Sequence, residues 1–440
     1  MANQEMKICA EEALNGNLED CARLLFPQEG ETMPKLRFSG FEGEWERKLL
    51  SECLEISEEK NTDNKFGIED VLSVSDDYGV VNQIELLGRS YAGKSVSGYK
   101  ILRPGQIVYT KSPLKAKPYG IVKQNTGEAG IVSVLYAVYN TKEGVAPEYI
   151  HYYFDPAWRL NAYMRPLVNK GAKNTMNISD ETALTGYIMI PKDIEEQRRI
   201  ATYLRSLDEQ IAIQQQQLER LKKMKQSCLG LLFADNQSIT PPLRFKGFSG
   251  EWETVLIKDA FDVRNGYTPS KYNDKYWTNG TIPWFRIEDI RDKGGILKDA
   301  YQKVTPLAVK GSGLFKKNSI IMSTSATIGV HAMLGVDSLA NQRFTNFTIR
   351  KSLEDSFDPY FIYYAFFKMD EWAMNNTNSG GLLAVDIPGL LMLPFPKPSL
   401  SEQRLISSFL LNLDTQIDSL DKMLLGLMQM KKACLNQMIA

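Results

Sequence analysis

The run Gly88-Arg89-Ser90-Tyr91-Ala92-Gly93-Lys94-Ser95 fits the phosphate-loop pattern GxxxxGK[ST] letter for letter. Such a loop needs a strand before it and a helix after it, so that amide N–H groups and the helix terminus face the phosphates. VVNQIELL, just upstream, reads as a strand. Downstream, VSGYKILRPGQIVYT carries Gly98, Pro104 and Gly105 among alternating β-formers, which argues against a helix. No apolar strand ending in a metal-binding Asp follows. The match is therefore read as a basic glycine loop. A stand-alone nucleotide-dependent enzyme using Lys94 and Ser95 is the rival hypothesis. Methyl transfer to a base would need a cofactor-binding glycine loop and an Asn/Asp-Pro-Pro-aromatic motif. Asp155-Pro156-Ala157 and Asp358-Pro359-Tyr360 have a single proline each. No paired acidic cluster with a following lysine suggests a nuclease. Two histidines, His151 and His331, argue against a histidine-rich metal site or a His-based triad. The expectation is a chain with no catalytic residue, no metal site and no cofactor of its own.

Nucleic-acid binding has more residues behind it. The first half of the chain carries Arg89, Lys94, Lys111, Lys115, Lys117, Lys123, Lys170 and Lys173, followed by Asn174 and interleaved with Tyr91, Tyr99, Tyr109 and Tyr119. The second half has GYTPSKYNDKYW, with Tyr267, Thr268, Ser270 and Lys271, and then Arg286, Lys316 and Lys317. STSATIG follows, with Ser325 and Thr327, and then NQRF, with Asn341, Gln342 and Arg343. Lys and Arg suit phosphates, while Asn, Gln, Ser, Thr and Arg can read base edges. Scattered lysines are also what an ordinary solvated face contains. The net charge of −1 gives no general basic signal, so the case rests on these clusters. An assembly scaffold without base readout is a further rival, opposed by how differently the two halves vary in their loops.

Two long elements would have to position these loops. From about Glu195 to Phe233 there is no proline, and apolar residues fall at Ile200, Leu204, Leu207, Ile211, Leu218, Leu221, Cys228 and Leu232. Alternating steps of four and three form a heptad seam, the mark of a helix packed lengthwise on another. At about 1.5 Å per residue it would be on the order of 55 Å long, a spacer. Gln214 and Lys225 interrupt the seam, and such polar exceptions fix register. Sliding the sequence by 206 positions aligns Glu196-Gln197-Arg198 with Glu402-Gln403-Arg404, and 16 of the 39 pairs through Ala440 are identical. Asp208/Asp414, Lys225/Lys431 and Cys228/Cys434 are among them, and Leu420 stands where Gln214 stands. PKLRFSGFEGEWE (34–46) recurs as PPLRFKGFSGEWE (241–253) with 10 of 13 residues identical. Its aromatics Phe38, Phe41 and Trp45 should pin it to the following domain. A repeat this long sets the architecture, two similar halves about a pseudo-twofold axis.

The intervals 47–192 and 254–397 read as mixed α and β. Strands are expected at Gly120–Val122, Gly130–Tyr139, Ser319–Ser323 and Phe344–Ile349. FDPAWRLNAYM at Phe154 and FDPYFIYYAFF at Phe357 read as equivalent helices, capped by Asp155 and Asp358 with Pro156 and Pro359 first. LTGYIMIP (184–191) and IPGLLMLP (387–394) would close the two intervals. The fold class is thus α+β, two mixed domains separated by two long coiled-coil helices that are each other's packing partners. The boundaries fall at 1–33 (an extension without visible chemistry), 34–192, 193–234, 235–398 and 399–440. Hydrophobic content of 43% and charged content of 24% suit a soluble globular chain. Five cysteines without a CxxC pair suit reduced thiols in the cytoplasm. Neither a transmembrane run nor a signal peptide is seen.

The duplicated LRFxGFxGEW segment, the TPS…YW…IPW stretch of Thr268–Trp284 and the Glu-Gln-Arg openings of the long helices resemble the specificity subunit of a type I restriction-modification enzyme. The resemblance covers nearly all of the chain from Pro34 onward. It implies two target-recognition domains, each reading half of an asymmetric bipartite DNA site, with two spacer helices that pack antiparallel and hold the halves apart. It further implies that two modification subunits, binding S-adenosylmethionine and methylating adenine, dock on this chain. Restriction subunits using ATP and Mg would join them for cleavage. The chain itself would then hold no active site.

Overall fold

The computed structural model describes residues 34, 36–93, 95–114, 117–170, 176–234, 239–378 and 383–437. The extension 1–33 and the candidates Lys94, Lys115, Lys173 and Asn174 lie outside the described residues. The chain divides into two compact units, one running to Gln216 and resuming at Lys422, the other Gln217–Asp421.

Each unit is closed by its own ends. In the first, Glu46–Leu49 pairs antiparallel with Tyr187–Ile190, and in the second Glu253–Leu256 pairs with Pro394–Lys397. Tyr187–Ile190 therefore corresponds to Pro394–Lys397, while Ile387–Leu391 is a short helix. The expected match of LTGYIMIP to IPGLLMLP was out of step by several residues, because apolar content resembled itself where backbone pairing did not.

The first unit is built on an antiparallel four-stranded sheet, in the order Leu54–Ile56, Ala137–Thr141, Ile107–Tyr109, Val122–Gln124. The expected strand Gly130–Tyr139 is two strands, Gly130–Val132 and Ala137–Thr141, split by a turn in which Tyr136 N donates to Ser133 O. The second unit has a mixed five-stranded sheet, in the order Phe261–Asn265, Phe344–Ile349, Ile320–Ser323, His331–Leu334, Ile296–Leu297. Beside it lies a three-stranded sheet of Lys303–Val304, Ile282–Phe285 and Leu339–Ala340. Both units are mixtures of helix and strand, as expected, on a shared frame with different sheets.

Pro359–Asn375 is a helix whose cap is Asp358, the carboxylate accepting from Phe361 N. Its counterpart is Pro147–Phe154, not the FDPAWRL segment. Asp155 caps nothing at an N-terminus: it ends the Pro147–Phe154 helix, and the next helix, Ala157–Met164, has no side-chain cap. The Asp155 carboxylate instead lies between Lys123 and Lys431.

The long helices are Ile194–Leu231 and Leu400–Gln437, 38 residues each. Both helices are continuous through the division between units. Their halves pair antiparallel inside each unit. In the first, Tyr203 meets Cys434 and Met430 while Asp208 meets Lys431 at 2.7 Å. In the second, Lys222 meets Asp421 at 3.6 Å and Lys225 meets Asp414 at 2.5 Å. Lys225–Asp414 and Lys431–Asp208 are the same contact displaced by the 206-residue repeat, so the polar seam residue Lys225 is paired across the two helices. The seam has a second partner, however. Ile200, Leu204 and Leu207 are buried in the first unit's core beside Tyr149 and Tyr152, and Ile406, Leu410 and Leu413 in the second's beside Phe361 and Tyr364. The opening turns of each helix belong to a globular core as well as to a helix pair.

The Glu-Gln-Arg openings join helix to domain. Arg37 donates through Nε and Nη2 to the two oxygens of Glu196 at 2.6 and 2.7 Å, and Trp45 Nε1 adds a third bond at 3.2 Å. Arg244 and Trp252 do the same to Glu402 at 2.8, 2.7 and 3.2 Å. Gln197 donates to Pro191 O and Gly144 O and accepts from Ala146 N. Gln403 repeats this with Pro398 O, Ser356 O and Asp358 N. Phe38 packs on Tyr203 and Phe245 on Phe409, so the repeated LRFxGFxGEW segment grips the long helix as well as the domain behind it.

Candidate nucleic-acid interface

In the second unit, strand ends bring distant residues to one rim. Gly266 N donates to Phe344 O, Tyr267 N to Ala340 O, Asn341 N to Phe285 O, and Thr324 N to Arg343 O. A Cβ on Gly266 would lie 2.1 Å from Asn341 O, so only glycine permits this closeness. Thr268 Oγ1 bonds Gln342 Oε1, and Arg343 N donates to Asn341 Oδ1 at 2.9 Å. Gln342 and Arg343 are exposed, and Thr268 and Asn341 half-buried. The STSATIG loop joins the rim through Thr324, whose hydroxyl meets Thr345 at 2.9 Å, with Thr345 in turn on Asn265. Ser325 and Thr327 flank Ala326, which has φ +66°. Arg286 follows the strand that supplies Phe285, with its Nε enclosed and 3.8 Å from Glu288. Asn, Gln, Arg, Thr and Ser thus gather on one edge, the side chains able to bond base edges bidentately or singly.

Other candidates in this unit have packing duties. Tyr267 donates to Ala308 O, and Lys310 lies over its ring at 4.3 Å. Ser270 O accepts from Trp277 Nε1 at 3.0 Å, and Ser270 and Lys271 are exposed. Lys316 is paired with Asp337, whose carboxylate also accepts from Lys317 N. Tyr272 is fully exposed and was passed over in the sequence, although it stands inside GYTPSKYNDKYW.

In the first unit the lysine set divides. Lys111 and Lys100 both hold Asp180 at 2.5 Å. Burial raises that carboxyl, but the two ammonium groups outweigh it and leave it below the usual range. Lys117 holds Asp76 at 2.5 Å, and buried Lys123 holds Asp155 at 2.8 Å. Each of these lysines has a carboxylate partner within the unit. Tyr109 is 1% exposed and Tyr119 is likewise buried, so both are core. Arg89 and Tyr91 remain outward, with the guanidinium 4.6 Å from the ring centre and Tyr91 61% exposed.

The phosphate-loop geometry is not formed. Gln83–Leu87, expected as strand, is a helix that ends at Gly88 with φ +75°, and the next element is the strand Lys100–Leu102. Ser95 Oγ bonds Ser97 Oγ. Among the described residues the loop thus leads from a helix into a strand, the reverse of the order that a phosphate loop needs.

A groove of about 1380 Å³ in the first unit holds Lys117, Lys123, His151, Asp155, Asp208 and Lys431. Burial, with Lys123 beside it, lowers the His151 pKa to about 4. Burial pushes Asp155 up, yet Lys123 and Lys431 prevail and hold it well below the carboxylate range. The groove lining as a whole balances six acidic side chains against six basic ones. Among the described residues, no group of three or more His, Cys, Asp and Glu could hold a metal ion. No helix there is long and apolar enough to cross a membrane.

Comparison with known proteins agrees with this frame. The family model described as the type I restriction modification DNA specificity domain matches residues 42–223 and 249–425. Over 152 residues, 34% of the chain, it is 46% identical to the type I restriction enzyme EcoprrI specificity subunit of Escherichia coli. Over 177 residues, 39% of the chain, it is 29% identical to the MjaIX specificity subunit of Methanocaldococcus jannaschii. The matched stretches span 37% and 40% of those relatives' own lengths, under half of each. In fold, the chain is similar to the S subunit of a type I restriction-modification system from M. genitalium, with TM-score 0.57, 14% identity, and coverage of 93% of this chain and 99% of that one. Two matched regions, one in each repeat, show that the chain belongs to the family of type I restriction modification DNA specificity domains.

Proposed function

We propose that this chain is the non-catalytic reading subunit of a type I restriction-modification complex and recognises a bipartite, asymmetric DNA site, one half per unit. The observation that carries this is the pairing of sameness and difference. Each unit has the same Arg–Trp–Glu and Gln fastening to a long helix, whereas the sheets built between those fastenings differ. A duplicated frame with unlike surfaces suits two unlike half-sites. Phosphate contacts would set affinity and register, and groove contacts would choose bases. In the second unit Thr268, Arg286, Ser325, Thr327, Asn341, Gln342 and Arg343 are the readers, with Lys271 and Tyr267 beside them. In the first unit the outward Arg89 and Tyr91 take that role, with Lys94, Lys115, Lys173 and Asn174 as further candidates.

Two modification subunits would supply S-adenosylmethionine and the methylating centre. Restriction subunits would supply ATP and Mg where cleavage occurs, so this chain would hold no cofactor. The outer faces at 214–217 and 222–226, exposed at 215–217, 222–224 and 226, are candidates for docking those partners. The complex would work in the cytoplasm, where its DNA is. The test is to express the chain with its modification subunit and map methylated adenines. A two-part motif with a fixed gap is expected, and methylation without sequence preference would overturn the reading.

A further inference from the structure

Each unit presents an exposed tyrosine on a hydrogen-bonded loop, Tyr272 in the second and Tyr91 in the first. In the second unit Asn273 N donates to Ser270 O at 3.3 Å, closing a turn whose corner residues are Lys271 and Tyr272. Trp277 Nε1 donates to the same Ser270 O, and its ring stands edge-on to Trp284 at 5.1 Å. Trp284 Nε1 in turn donates to Tyr267 O at 2.9 Å, tying the turn to the rim that carries Thr268 and Gln342. Asn273 Oδ1 accepts from Lys275 N, which fixes the far side. At the tip Tyr272 is 100% exposed, and Lys271 beside it is also exposed.

The first unit reaches the same result with other parts. Gln83 Oε1 accepts from Tyr91 N at 2.7 Å and from Ser90 Oγ at 3.2 Å, while Gln83 Nε2 donates to Ser73 Oγ. Tyr91 stands 61% exposed with Arg89 against its ring. An aromatic ring left in water forgoes a large burial gain, and a turn stiffened around it loses little entropy when a flat partner arrives. A neighbouring cation suits a phosphate next to that partner.

We propose that Tyr272, and by the same construction Tyr91, stack on the face of a nucleobase in the half-site each unit reads. This rests on the DNA-reading function proposed above. In duplex DNA a base face becomes available only where a step is unstacked or a base is turned out. The tyrosines therefore act on DNA shape, adding discrimination at a position where no base-edge hydrogen bond is made.

The test uses the full chain with its modification subunit on duplexes containing the mapped site, with 2-aminopurine placed at successive positions. Wild type is expected to change the emission of one position per half-site. Tyr272→Ala should abolish that change in the second unit's half-site and weaken binding about tenfold, while Tyr272→Phe keeps both, since stacking needs the ring and not the hydroxyl. Tyr91→Ala should act only on the other half-site. Neither Tyr272 nor Tyr91 supports a core, so unchanged melting of the alanine variants checks that they fold. Wild-type binding and emission in Tyr272→Ala overturn the stacking role alone, as does a Tyr272→Phe variant as weak as the alanine. A wild-type complex that binds no DNA selectively overturns the stacking role together with the function it rests on.

Discussion

Single side chains decide two things here, what the rim can read and how the fold answers to pH. Gln342 and Arg343 stand exposed where Thr268 and Asn341 hold their loop, the arrangement that the proposed base readout needs. Replacing Arg343 with alanine should relax one base position by roughly 1–3 kcal/mol and leave the other half-site unchanged. Methylation mapping of the variant would show it, and altered preference in both half-sites would contradict it. His151 sets an acid limit. Its folded pKa of about 4 lies below the unfolded value of about 6.5, so as pH falls through that window the unfolded chain takes a proton that the folded ring refuses. Stability should drop from about pH 6.5 toward 4, and His151→Gln should remove that slope in urea midpoints measured across the range.

At the scale of elements, the long helices are tied down by paired charges and loosened by one orphan. Glu402 is almost wholly buried and receives three bonds from Arg244 and Trp252. Glu402→Ala would strand the guanidinium and should destabilise the second unit by about 3 kcal/mol, read by denaturant unfolding. Gln214 has the opposite character, since its Oε1 is buried without a hydrogen-bond partner. Gln214→Leu, the residue type at Leu420, should raise stability by about 1 kcal/mol. A lower melting temperature would mean that the amide has a function the apolar side chain cannot replace. Glu402 stands in the repeated Glu-Gln-Arg opening, and Gln214 is a polar break in the heptad seam.

For the molecule as a whole, the prediction concerns length. Each long helix is unbroken over 38 residues. Four residues added to the exposed Gln215–Gln217 stretch lengthen a helix by about 6 Å, near two base-pair steps of about 3.4 Å. The preferred gap between half-sites should lengthen, with the bases of both half-sites retained. Altered half-site bases in the methylated motif would remove the helices from the role of ruler.

The repeat, the long helices and the α+β class could be read from the sequence because they depend on local chemistry. Heptad spacing, a proline-free run and the recurring LRFxGFxGEW and Glu-Gln-Arg segments need no knowledge of distant contacts. Position in three dimensions was another matter. Spacing cannot say that Lys111 and Lys117 meet Asp180 and Asp76 while Arg89 does not share their fate, because ion pairs form between residues far apart in the chain. Asp155 looked like Asp358 because both precede a proline, yet the fold uses one as a cap and the other as a counter-ion for Lys123 and Lys431. The rim of Thr268, Arg286, Ser325, Asn341 and Gln342 exists only because strand pairing brings their loops to one edge. Sequence patterning determined the two long helices and that the frame around them comes twice. Only tertiary packing decided which charges are consumed within the fold and which are left for a partner, since burial and pairing are properties of neighbours in space.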